Sequence, residues 1–172
     1  MKIGIIYDSL TGNTKQIANA IYEACKNEEF IIFKEANDIE NTEDVDLIFV
    51  GSWTDKGMCS KKIIGFYEKI HNKKIAIFGT AGFGGSDEYF NKLAERTKAF
   101  IFKDNEVMGY FYCQGKMPMS VRGRYVKMIQ ENPEDKNLAV SIENFDKALS
   151  HPDKNDLENA KKFALEMIDM TK

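Results

Sequence analysis

The chain is short of the residues that most often carry chemistry on their own. It has two histidines, three cysteines and one tryptophan in 172 residues. Cys25, Cys59 and Cys113 stand far apart and are odd in number. They make no CxxC pair and no disulfide framework, which points to a reducing, cytoplasmic setting. His71 and His151 lie in polar contexts, and the methionines are scattered, so no metal site is expected. No apolar run approaches the ~20 residues of a membrane helix. The amino terminus goes directly into a strand-like run, Lys2-Ile3-Gly4-Ile5-Ile6-Tyr7, instead of a signal peptide. A net charge of −3 and a pI near 5.5 lack the basic excess of a general nucleic-acid binder. Neither GxxxxGK(S/T) nor GxGxxG occurs, which excludes a Walker loop and a dinucleotide fingerprint.

What is present is ordinary globular material: 43% hydrophobic, 30% charged and 12% aromatic. No repeat, low-complexity stretch or linker divides it, so residues 1–172 read as one domain. Strand-length apolar runs fall at 3–7, 30–33, 46–51, 74–79 and 107–113. Amphipathic segments at 14–26, 60–70, 86–97 and 153–170 alternate with them or close the chain. In the first, Ile17, Ala18, Ile21, Tyr22 and Cys25 share one helical face. Pro118 opens another helical stretch to about 130. The polar segment 131–152 yields no assignment and makes 116–152 an extended piece before the last helix.

The first, third and fourth strands are almost continuously apolar, as strands covered on both faces are. A β-α repeat of this kind gives a parallel sheet with helices on both sides. The expected fold is α/β: a doubly wound five-stranded parallel sheet of order 2-1-3-4-5. Such sheets bind ligands at the carboxyl ends of the first, third and fourth strands.

Ser9-Leu10-Thr11-Gly12-Asn13-Thr14 follows the first strand. Its hydroxyls converge where helix-terminal N–H groups and the helix dipole favour an anion, and Gly12 permits a tight turn. A turn and helix cap is the plainer alternative. Ser-x-Thr-Gly-Asn-Thr after an N-terminal strand resembles the FMN phosphate loop of the flavodoxin family, and the element order matches over about residues 1–115. The resemblance implies that Ser9, Thr11, Asn13 and Thr14 hold the phosphate of FMN, within a loop that includes Leu10 and Gly12.

Gly51-Ser52-Trp53-Thr54-Asp55-Lys56-Gly57 follows the third strand and contains the only tryptophan. An indole offers the flat apolar surface on which an isoalloxazine ring stacks, although it could equally pack as core. Two registers on the family remain open. One makes Trp53 the flavin-stacking aromatic with Thr54 in place of a glycine. The other resembles quinone reductases and flavodiiron proteins of the same fold and aligns Gly57 with their glycine. Asp55 and Lys56 would bear on flavin potential. After the fourth strand, Thr80-Ala81-Gly82-Phe83-Gly84 exposes backbone groups suited to the pyrimidine edge of a flavin. Phe83, rather than Tyr89, is the expected cover for its second face. Gln114 and Lys116 would approach the rim.

The expected function is FMN-dependent electron transfer to or from a partner redox enzyme, a donor or acceptor reductase, with no catalytic residue of its own. An FMN-dependent NAD(P)H:quinone-type oxidoreductase is the alternative. A receiver-like signalling domain lacks its acidic cluster. The loops around Trp53 and Cys113-Gln114-Gly115-Lys116-Met117 are also similar to a flavodoxin-family subgroup in anaerobic bacteria. Some members of that subgroup accompany a partner reductase, including bilirubin reductases.

Overall fold

Alternation along the first strand, β1 (Lys2–Asp8), shows how the centre is built. Ile3, Ile5 and Tyr7 face one apolar cluster and Ile6 faces another, so both faces of the strand are covered. The computed structural model describes residues 1–38, 42 and 44–172. β1 pairs in parallel with β2 (Phe30–Glu35) on one side and β3 (Leu47–Asp55) on the other. A two-residue strand, β4 (Met58–Cys59), turns back antiparallel onto the end of β3. β5 (Lys74–Ala81) and the edge strand β6 (Glu106–Gln114) complete a sheet of order β2-β1-β3-β5-β6. The five parallel strands thus follow the expected 2-1-3-4-5 order, and β4 is an addition to it.

Helices α1 (Asn13–Cys25) and α6 (Lys154–Thr171) cover the face that carries Ile3, Ile5, Leu47, Phe49 and Phe78. Helices α2 (Lys61–Tyr67) and α3 (Asp87–Lys98) cover the face that carries Ile6, Ile48, Val50, Ile75 and Ile77. The expected face of α1 is buried except at Tyr22, which lies outside and meets Phe33 edge-on at 5.4 Å.

Two glycines set the spacing at the strand ends. Gly51 pairs with Phe78, and a Cβ on it would lie 2.1 Å from the Phe78 ring. Gly79 pairs with Tyr112, and a Cβ there would lie 2.3 Å from the Tyr112 ring. Each aromatic ring therefore lies across the neighbouring strand's glycine, a close approach that only hydrogen permits.

The segment without an assignment is helical. Helix α4 (Met119–Glu131) is followed by α5 (Lys136–Ala148), whose first turn Asp135 caps by accepting from the N–H groups of Asn137 and Leu138. Its helical pattern is thin because only Leu138, Phe145 and Ala148 are buried. Arg122 forks onto Asp146 at 2.7 and 3.0 Å and ties the two helices together. The excursion begins and ends together: the Lys116 N–H donates to the His151 carbonyl at 2.8 Å. Among the described residues, no helix is long and apolar enough to cross a membrane.

Candidate functional site

The carboxyl ends of β1, β3 and β5 meet the start of α1 at one cavity of about 290 Å³. It is lined by Leu10, Thr11 and Asn13, by Trp53 and Thr54, and by Thr80 and Gly82. The chain after β6 closes it with Gly115, Lys116, Met117, Pro118, Val121 and Arg124. A larger, more open depression of about 790 Å³ lies at the opposite, amino-terminal end of the strands, where Lys2, Val45 and Lys74 sit. That end carries none of the loops the topology assigns to ligands.

Gly12 takes φ 89°, a left-handed conformation that glycine adopts without a Cβ penalty, and as the N-cap residue it offers no side chain to the helix N–H groups. Ser9 Oγ accepts from the Lys15 N–H at 3.2 Å. The Asn13 side-chain amide donates to Thr11 Oγ1 at 3.1 Å and to the Lys116 carbonyl at 2.9 Å. Its own carbonyl oxygen, Oδ1, is buried without a partner. Thr14 is fully buried, and its hydroxyl bonds that of Thr80 at 2.9 Å, locking the helix start to β5.

β3 runs four residues beyond its expected end, so Ser52, Trp53, Thr54 and Asp55 belong to the strand instead of a loop. Ser52 pairs with Asp8 and Gly79 and Trp53 with Thr80, and a two-residue hairpin to β4 then pairs Thr54 with Cys59 and Asp55 with Met58. Lys56 at φ 49° and Gly57 at φ 79° form its turn, as a type I′ loop demands. The Arg96 guanidinium donates to the Gly57 carbonyl at 3.0 Å and holds the tip. Ser52 is buried; its hydroxyl donates to the Trp53 carbonyl and accepts from the Ser60 N–H. The Thr54 hydroxyl donates to the Thr80 carbonyl at 2.9 Å, tying β3 to β5.

Of the residues singled out from sequence, the structure brings Leu10, Thr11, Asn13, Trp53, Thr54, Thr80 and Gly82 to the cavity. Ser9, Gly12, Thr14, Ser52 and Ala81 stand behind its lining, and Asp55, Lys56 and Gly57 form the hairpin outside it. Phe83 and Gly84 line a separate cavity of about 510 Å³ with Tyr89, Gln114 and residues of α5. The Phe83 and Tyr89 rings meet edge to face at 5.5 Å there. On the Trp53 cavity it is Met117 that packs against Gly82, where a Cβ would come within 2.3 Å of its side chain.

Sequence reasoning missed Asp8 and the α4 lining. Asp8 closes β1 with an almost fully buried side chain that accepts from the Trp53 indole N–H at 2.8 Å and pairs with Lys62 at 3.2 Å. A carboxylate ending an apolar strand was the available signal. For Val121 and Arg124 there was none, because their place depends on how the excursion folds back.

Elsewhere, His151, Asp153 and Asp156 bring ligand atoms within 4.8 Å of one another. The arrangement serves as the capping box of α6: Asp153 and Asp156 each accept from the other's N–H, and His151 Nδ1 pairs with Asp156 at 2.6 Å. Burial, reinforced by Asp156 and Asp153, pushes the Cys113 thiol up, which keeps it a protonated, apolar side chain at neutral pH.

Sequence profiles place these elements in a known family: the flavodoxin domain matches residues 4–165. The chain is a member of the flavodoxin family. It is 38% identical over 172 residues to a flavodoxin-like domain-containing protein, BilS, of Clostridioides difficile strain CD3, covering 98% of this chain and 97% of that one. The BilS protein of Clostridium symbiosum strain WAL-14163 is 30% identical over 183 residues, with 98% and 96% covered. The solved Streptococcus pneumonia TIGR4 flavodoxin superposes with a TM-score of 0.63 at 15% identity, with 99% of each chain covered. Flavodoxin domains are FMN proteins, and the cavity suits that cofactor. It joins a helix start with a glycine N-cap and an orphaned amide oxygen to an indole and small strand-end residues, in a volume too small for a protein ligand.

Proposed function

We propose that this flavodoxin-family chain is a cytoplasmic electron carrier that exchanges electrons with a partner redox enzyme through FMN. One observation carries the reading. Among the described residues, the cavity lining has no histidine, cysteine, tyrosine, aspartate or glutamate. Proton transfer and covalent catalysis rely chiefly on such groups. Electron transfer does not, since FMN itself supplies one- and two-electron chemistry when bound.

The chain's residues then bind and orient. Thr11, Asn13 and the N–H groups of Asn13 and Thr14 at the start of α1 hold the phosphate, with Ser9 and Thr14 shaping that turn. Trp53 presents its indole to the ring system, and Asp8 fixes the indole's edge. Thr54, Thr80 and Gly82 leave room at the strand ends for the ring's polar edge. The docking partner is a reductase-class redox enzyme, in keeping with the loops shared with the anaerobic subgroup. The three buried, unpaired cysteines suit a reducing cytoplasm.

The test is an FMN titration followed by absorbance and by Trp53 fluorescence. The expected result is a shifted flavin spectrum that Thr11→Val with Asn13→Ala weakens strongly. FMN absorbance indifferent to the protein would overturn the reading. Addition of NADH or NADPH to the loaded protein should leave the flavin oxidised over minutes, and rapid bleaching would make it a nicotinamide-dependent reductase instead.

A further inference from the structure

Helix α4 is unusual among the helices of this fold because none of its residues is buried. Its principal neighbour is α5, joined to it by the Arg122–Asp146 fork. Gly123 sits in its middle with open space around it, which weakens the helix without any packing reason. Met119 and Met128 are exposed. Such an element has little to hold it in one place by itself.

Yet one face of this stretch looks into the FMN cavity. Val121 and Arg124 are three residues apart, on one side of the helix, and Met117 lies four residues before Val121. Arg122 points to α5, so the two arginines serve different neighbours. Among the described residues no carboxylate pairs with Arg124. Among the described residues, Arg124 and Lys116 are the only charged side chains in the cavity lining, and both are cationic. Arg124 shares that lining with Leu10 and Thr11 of the phosphate turn. A guanidinium beside a phosphate forms charge-assisted, often bidentate hydrogen bonds.

We propose that α4 is a lid of the cofactor cavity that closes on FMN, and that Arg124 pairs with the FMN phosphate as it does so. The lid rests on the FMN reading above and adds a recognition element outside the three strand-end loops. Met117 and Val121 supply its apolar underside. Because Arg124 acts on the phosphate, it discriminates FMN from riboflavin, which has the same ring system and no phosphate.

Two measurements on the full chain test this. In hydrogen exchange, FMN should slow the amides of 116–131 in the wild-type protein. In titrations, Arg124→Gln should raise the Kd for FMN roughly five- to tenfold and change that for riboflavin less than twofold, while Arg124→Lys recovers part of the loss. The FMN Kd of Arg124→Gln should also depend less steeply on salt than the wild-type value. Unchanged exchange over 116–131, an Arg124→Gln Kd for FMN within twofold of wild type, or equal weakening toward both ligands would each overturn the proposal. A wild-type protein that takes neither flavin would instead overturn the carrier reading, and the two failures are therefore distinct.

Discussion

The indole N–H of Trp53 donates to Oδ2 of Asp8 at 2.8 Å, while Lys62 holds the other carboxylate oxygen at 3.2 Å. A nearly buried charge at the end of β1 thus fixes the edge of the only tryptophan. Its fluorescence therefore reports the site alone, and FMN binding should quench most of it. Asp8→Ala should lower stability by about 1–3 kcal/mol in urea unfolding, because the indole N–H loses its acceptor. It should also weaken FMN several-fold. Trp53→Phe should cost less stability, since Asp8 keeps Lys62. Equal stability of Asp8→Ala and wild type would count against this role.

The Thr14–Thr80 hydroxyl pair joins α1 to β5 inside the protein. Thr14→Val leaves a buried hydroxyl on Thr80 without its partner and should cost about 1–3 kcal/mol. The double change to valine should cost clearly less than the two single changes added together, because both ends of the bond then go at once. Strict additivity in chemical unfolding would deny the coupling.

Glycines in this chain divide by what surrounds them. Gly51→Ala and Gly79→Ala drive a methyl group into the rings of Phe78 and Tyr112, and each should destabilise by about 1–3 kcal/mol or more. Gly65, inside α2, has nothing within 4 Å of its hypothetical Cβ. Gly65→Ala should stabilise by about 0.5–1 kcal/mol through helix propensity. Thermal midpoints of the three variants moving in the same direction would contradict the geometry.

Burial pushes the Cys25 thiol from 9.0 up to about 12, with Glu28 adding to the shift. Cys59 is raised as well, also chiefly by burial. A raised pKa means that the folded state keeps its proton where the unfolded state has lost it. This stabilisation is whole below pH 9 and is lost as pH rises from about 9 toward 12. Unfolding free energy should therefore fall across that window. Alkylation at pH 8 should also spare all three cysteines until denaturant is added, since each is buried. Rapid labelling of the native protein would refute the assignment.

The sheet order was legible because β1, β3 and β5 are nearly unbroken apolar runs, and the α1 turn because Ser9 to Thr14 concentrates hydroxyls and glycine. The end of β3 was not. Ser52 to Asp55 reads as a polar loop, yet Ser52 and Trp53 continue the parallel pairing with β1 and β5, and the left-handed Lys56-Gly57 turn folds β4 back onto Thr54 and Asp55. Helix α5 was hidden for a different reason. It rests on the rim with three buried side chains, so most of its positions follow solvent and leave little period in the sequence. The α4 wall of the cavity depends on contacts between residues about a hundred positions apart, such as Asn13 and Lys116, which local pattern does not encode.

The hydrogen bond from the Lys116 N–H to the His151 carbonyl makes the chain leave the sheet and return to it at one doorway. A detour with touching ends can be lengthened, trimmed or exchanged at small entropic cost, because the distance to be closed stays the same. The strand ends and the α1 turn beneath it keep their spacing through any such change. The fold therefore separates two rates of change: the detour, Arg124 included, is free to diversify while the strand ends and the α1 turn stay fixed.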